Sequence, residues 1–178
     1  MSEINVDTIK DRAGTDAMSI DTSGKVTFSK SLTRTIIPSW RVGVGSNIAY
    51  TSAGEHVIIW DTTTGEENFL DGGVTYSSGI INVPEAGLYM LGSSCRIDNA
   101  TAGNYIRMRI YRNNIATGMS ELYALEDDQT TAYGTVQIHG VFKASASDNF
   151  RVAVGAQSDS DWHVQQDSGS HFWGFKVG

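Results

Sequence analysis

Cysteine is almost absent: Cys95 stands alone in the chain, so no disulfide can close within it. Its place among alternating apolar residues reads as a small buried side chain. Basic residues are also scarce, 13 Lys and Arg against 20 Asp and Glu, for a formal charge of −7. That balance excludes a surface built to displace counterions from nucleic-acid phosphates, and it disfavours docking on anionic lipid. No run approaches the roughly 18 apolar residues of a spanning helix, and the start Met-Ser-Glu-Ile-Asn-Val lacks the apolar core of a signal peptide. The expectation is a protein that is neither inserted in a membrane nor exported by such a peptide.

Patterns that carry chemistry are missing as well. His56, His139, His163 and His171 fall at no metal-ligand spacing. Asp159-x-Asp161-x-His163 lacks the glycine turn and spaced glutamate of a calcium loop. Glu126-Asp127-Asp128 has nothing apolar around it to raise a carboxylate's pKa, so it makes a poor general acid. There is no G-x-S-x-G elbow, and Gly43-Val44-Gly45 has neither the third glycine nor the helix of a nucleotide loop. The chain is expected to be no enzyme and to hold no cofactor or metal. Asn99-Ala100-Thr101 fits a glycosylation sequon, which matters only for a chain secreted from a eukaryotic cell.

No helical period is sustained. What the chain does have is 19 glycines among many β-branched and aromatic residues, a composition that favours short strands joined by turns. Its length suits one medium domain with a short appendage. The sequence divides into residues 1–37, an attachment arm and hairpin, and residues 38–178, the body.

In the arm, Ile4, Val6 and Ile9 form an apolar stripe. Met18 and Ile20 alternate with polar residues before Thr22-Ser23-Gly24-Lys25, and Val26 and Phe28 alternate after it. This predicts a β-hairpin. One such hairpin is at best marginal in water, so Ile4, Val6, Ile9, Ile20, Val26 and Phe28 are expected to grip another protein or further copies.

In the body, Trp40, Val42 and Val44 alternate as a first strand, and His56 to Asp61 is a nearly continuous apolar run that predicts burial on both faces. Asn68 to Tyr76 and Gly79 to Val83 follow. Pro84 cannot sit inside a sheet and Gly87 can take a positive φ, so the chain reverses there. Beyond it Tyr89, Leu91, Cys95 and Ile97 share one face of a strand and Leu88, Met90, Gly92 and Ser94 the other. Asn104 to Arg112 is the clearest strand, with Ile106, Met108 and Ile110 inward and Tyr105, Arg107, Arg109 and Tyr111 outward. Val136, Ile138 and Phe142, then Phe150, Val152 and Val154, repeat the pattern. In the closing strand Phe172 lies on one face and Trp173 and Phe175 on the other.

Four stretches carry a resemblance. Gly79 to Tyr89, Gly-Ile-Ile-Asn-Val-Pro-Glu-Ala-Gly-Leu-Tyr, resembles the G-x-F-x-V-P-x-x-G-x-Y signature of the C1q and tumour-necrosis-factor-like jelly rolls. The run Val57 to Asp61 upstream, and Ser147 to Val152 and Phe172-Trp173-Gly174-Phe175 downstream, keep that family's order. The likeness spans about Trp40 to Gly178. It implies an all-β, two-sheet jelly-roll sandwich that closes as a homotrimer. The contact is then expected at Trp40, Tyr105, Tyr111, Tyr133 and Phe175. The leader, Ile-Asn-Val-Asp-Thr-Ile followed by Ile-Asp-Thr-Ser-Gly-Lys-Val-Thr-Phe, is similar to the starts of structural and fibre proteins of marine bacteriophages.

Together these resemblances imply a virion surface protein, made in the host cytoplasm: a short tail fibre or spike, or a capsid decoration. The arm would fasten it to a capsid or tail protein. Asp159, Asp161, Trp162 and His163 would form a loop for a host-surface glycan or protein. The rival reading is a secreted C1q-like recognition module for glycans or proteins. The lack of collagen-like Gly-x-y repeats counts against it.

Overall fold

The computed structural model describes residues 8–10, 16–28, 36–63, 67–98, 105–113, 122–126, 133–156 and 161–178. The chain forms two compact units, Met1–Thr35 and Ile36–Gly178.

The first unit is a three-stranded antiparallel sheet of β1 (Thr8–Lys10), β2 (Asp16–Ile20) and β3 (Val26–Phe28). Pairs Met18↔Phe28 and Ile20↔Val26 put the alternating apolar residues opposite one another. β1 adds a third strand, with Ile9 opposite Met18. The reversal is built on Asp21. Its Oδ1 accepts from the Ser23 and Lys25 backbone N–H groups at 2.9 Å and from the Ser23 hydroxyl at 2.5 Å, while Gly24 takes φ 82°. This is the side-chain mimicry of a turn that aspartate performs well.

The second unit contains β4 (Ser39–Gly43), β5 (Ile48–Tyr50), β6 (Gly54–Val57), β7 (Phe69–Asp71), β8 (Thr75–Ser77), β9 (Ile80–Asn82) and β10 (Gly87–Asp98). They are followed by β11 (Ile106–Arg112), β12 (Leu122–Glu126), β13 (Tyr133–Ala144), β14 (Asn149–Ala156), β15 (Trp162–Val164) and β16 (His171–Lys176). In sheet one, β10 pairs along its whole length with β13, from Gly87↔Ala144 to Asp98↔Tyr133. Its other edge carries β16 and then β15. β4 and β7 extend the sheet beyond β16, and β5 extends it beyond β15. In sheet two the order is β12-β11-β14, and the far edge of β14 is shared by β9 and β6, with β8 beyond β9.

With β5, β6, β7, β8 and β15 set aside, the sheets run β4-β16-β10-β13 and β9-β14-β11-β12. Apart from the consecutive pair β11 and β12, neighbours in space are distant in sequence, and the chain crosses repeatedly between sheets. That is the jelly-roll order. Inward residues of both sheets fill the space between them, among them Trp40, Val42, Tyr89, Leu91, Cys95 and Ile97 from sheet one and Ile106, Met108, Ile110, Phe150, Val152 and Val154 from sheet two. Each such side chain contributes roughly 1.5–3 kcal/mol on burial, which is why the alternation decides the pleat.

The turn at Pro84 is pinned from three sides. The Tyr89 hydroxyl donates to the Glu85 carbonyl at 2.9 Å, and the Ser147 N–H donates to the Val83 carbonyl at 3.0 Å. The Leu88 N–H donates to the Gly178 carbonyl at 2.6 Å, so close that a side chain at Gly87 would begin 2.6 Å from that oxygen.

One expectation needs correction. The run from His56 to Asp61 is not buried on both faces: Ile58 and Trp60 enter the core while Ile59 is 56% exposed. Within Asn68 to Tyr76, Gly72 and Gly73, at φ 62° and 83°, turn the chain between β7 and β8.

Candidate functional site

The alternation that sends Tyr89, Leu91 and Phe172 inward sends every second residue of sheet one outward. The register orders these outward residues into rows across the sheet. One row reads Val141-Met90-Phe175-Ser39-Asp71, and beside it Leu88 lies opposite Lys143. The next reads His139-Gly92-Trp173-Arg41-Phe69, and the one after it Gln137-Ser94-His171-Gly43. The face is therefore apolar at one end and polar at the other. Leu88, Val141, Phe175 and Phe69 are exposed, and Met90 and Trp173 are half-buried. Trp173 and Phe175 stack, with ring centroids 6.1 Å apart and planes 20° from parallel. Glycine at 92 leaves room for this, since a side chain there would begin 2.8 Å from Trp173 Cζ2.

At the polar end the Asp167 carboxylate accepts from Arg96 Nη1 at 2.8 Å, and Arg41 pairs with Glu67. His171 lies between, its Nδ1 3.1 Å from the Ser168 carbonyl. A carbonyl only accepts, so Nδ1 carries the proton and Nε2 of the neutral ring is the acceptor. Burial holds the His171 pKa below the ordinary 6.5 and the Arg41 charge adds to that, with the Ser168 bond opposing.

Of the expected trimer residues, Phe175 lies on this face. Trp40 does not: it is 1% exposed between the sheets, with Phe172 edge-on at 5.6 Å. Tyr111 also does not, being 2% exposed on the far side of the sandwich. There it donates to Glu55 and accepts from Arg109 Nη1 at 3.2 Å. Glu55 in turn lies 3.5 Å from the Nε atoms of both Arg107 and Arg109. Burial raises the Tyr111 pKa, and its bond to Glu55 adds to the effect. Tyr105 directly precedes β11 and is half-buried. Tyr133 begins β13, and its side chain lies outside the described residues.

The expected receptor loop loses its ring. Trp162 is fully buried in β15, 4.4 Å from Tyr50 and 5.8 Å from His56 by ring centroids. Asp161 is exposed, His163 lies 3.2 Å from Asp98 Oδ1, and Asp159 is outside the described residues. In the arm, Ile20 and Val26 are exposed, 37% and 46%. Ile9 and Phe28 occupy strands whose side chains here are outside the described set, and Ile4 and Val6 lie outside it altogether. Among the described residues no cluster of three or more His, Cys, Asp or Glu is placed to hold a metal.

No protein-family model and no curated protein matches this sequence. Solved structures do. The crystal structure of murine APRIL at pH 5.0 superposes with a TM-score of 0.60 at 14% identity, over 79% of this chain and 99% of that one. Murine APRIL at pH 8.0 gives 0.59, with the same identity and coverage. At that identity the likeness shows the fold, a tumour-necrosis-factor-like jelly roll, which agrees with the strand order read from the pairing.

Proposed function

We propose that this chain is a non-enzymatic structural protein that works as a homotrimer, with the outward face of sheet one turned toward the neighbouring copies. The first unit fastens the trimer to a capsid or tail protein on the surface of a bacteriophage virion. The observation that carries the assembly is the apolar end of that face. Leu88, Val141 and Phe175 are 46%, 62% and 38% exposed and adjoin Met90 and Trp173. Contiguous apolar area of this kind is a feature of interfaces more than of free surfaces, and a closed cyclic assembly buries it on every copy at once. The jelly-roll fold is compatible with three-fold closure. The similarity of the leader to marine phage structural proteins, together with the exposed Ile20 and Val26 pair, supports the attachment role.

Sedimentation equilibrium of the full chain tests the assembly, with a mass three times that of one chain expected; a single-chain mass at micromolar concentration overturns it. Gold labelling of intact particles tests the location. Label over the shell or at the tail is expected, and label on neither ends the virion reading.

A further inference from the structure

A cavity of about 290 Å³ opens at the polar end of sheet one, where β4 and β16 meet the loops before β7 and β16. Arg41, Glu67, Asn68, Gln166, Ser168 and His171 contribute to its walls, with Gly43 and Val44 on the β4 side. We infer that this cavity is a binding site for a single neutral sugar ring.

Size sets the first limit. The volume falls just below the ~300 Å³ at which pockets for drug-sized ligands begin, so one ring is what it can enclose. Charge sets the second. Both acids of the site are already matched, Glu67 by Arg41 and Asp167 by Arg96, so neither a cation nor an anion finds an uncompensated partner there. The remaining wall groups both donate and accept. The Gln166 carboxamide and Ser168 hydroxyl face no protein partner among the described residues, and His171 offers an acceptor nitrogen. Vicinal hydroxyls, each a donor and an acceptor, complement such a wall, whereas an apolar or purely ionic ligand leaves it unpaired.

Gly43 keeps the space open: a side chain there would point at Asn68, beginning 3.3 Å from its Oδ1. The smaller cavity next to it, lined by Ser94, Gln137, His139 and Trp173, shares His171. The inference does not depend on the trimer, whose apolar contact is centred on Leu88, Val141 and Phe175, two rows of the sheet from His171 and Gly43.

Saturation-transfer NMR on the full-length protein tests it, using the methyl glycosides of glucose, galactose, mannose and N-acetylglucosamine at millimolar concentration, with sulfate and calcium chloride as ionic probes. At least one glycoside is expected to receive saturation and to keep it when the salts are added. Gly43→Val, which fills the cavity, is expected to weaken binding at least about tenfold, and Gln166→Ala about fivefold, the cost of one or two lost hydrogen bonds. Gln166 is an exposed side chain, so its variant reports on binding even if Gly43→Val disturbs folding. Silence from all four sugars, signal retained in full by Gln166→Ala, or displacement by either salt overturns the inference.

Discussion

Trp40 occupies the space that a side chain at residue 174 would need. The two residues face each other across β4 and β16, and a Cβ on Gly174 would stand 2.3 Å from the indole Cζ2 and 2.9 Å from Leu91 Cβ. Gly174→Ala is therefore expected to destabilise the second unit by about 1–3 kcal/mol, the usual cost of overfilling a packed core. Urea denaturation checks it. The midpoint should fall while the slope with denaturant stays the same, and an unchanged midpoint would mean that Trp40 does not pack over this strand.

The proposed assembly makes a second prediction. Phe175→Asp and Trp173→Asp each place a charge where an apolar contact is expected to close, and an unpaired charge there costs several kcal/mol. Light scattering should then show monomers or aggregates where the unaltered chain shows trimers. Ile59→Asp is the control. Ile59 is more exposed than Phe175, 56% against 38%, but lies beside Gly79 at the sheet-two side of the sandwich, so its variant should remain trimeric. Trimers from both sheet-one variants would remove this face from the contact.

The contrast between Trp40 and Phe175 shows how far the sequence could be read. Alternation along a strand says which side chains share a face, so Ile106, Met108 and Ile110 were legible as one set and Tyr89, Leu91, Cys95 and Ile97 as another. It does not say which aromatic residue of a bulky strand reaches the core. Trp40 alternates with Arg41 just as Phe175 alternates with Gly174, and only the partner sheet distinguishes them. Trp162 shows a second limit. In sequence it sits in a polar loop, yet it packs on Tyr50 from a strand more than a hundred residues earlier. The Glu55 cluster and the Arg41 cavity are hidden for the same reason, being made by register between distant strands. Glu55 sits opposite Gly155, which sits opposite Arg107.

His171 gives the second unit a dependence on pH whose sign follows from its surroundings. Its folded pKa is held below 6.5 by burial first and by Arg41 second. Below about pH 6.5 the unfolded chain therefore takes up a proton that the folded chain resists, and stability falls as pH falls through that window. Above it the ring is neutral in both states and contributes no slope. His171→Gln should flatten the stability profile below about pH 6.5, measured by urea midpoints at fixed ionic strength. An equally steep profile in the variant would show that the titrating group lies elsewhere.

The hairpin turn of the first unit depends on one carboxylate. Asp21 gathers the Ser23 hydroxyl and the backbone N–H groups of Ser23 and Lys25 on a single oxygen. The Ser23 hydroxyl bond first, then the Lys25 N–H, holds the Asp21 pKa below the ordinary 3.8. A depressed carboxylate contributes order that is present above its unfolded pKa and is lost as pH falls through the folded one. Asp21→Ala is expected to speed hydrogen exchange at the Ser23 and Lys25 amides by about tenfold at neutral pH, since their acceptor is gone and local opening no longer breaks a bond. Asp21→Asn, which keeps a neutral acceptor, should fall between the two. The amides of β10 and β13 in the second unit report whether the effect is local, and their exchange should not change. Equal rates at Ser23 and Lys25 in all three proteins would show that the turn holds without Asp21, leaving the φ of Gly24 and the Ile20 and Val26 pairing to set it.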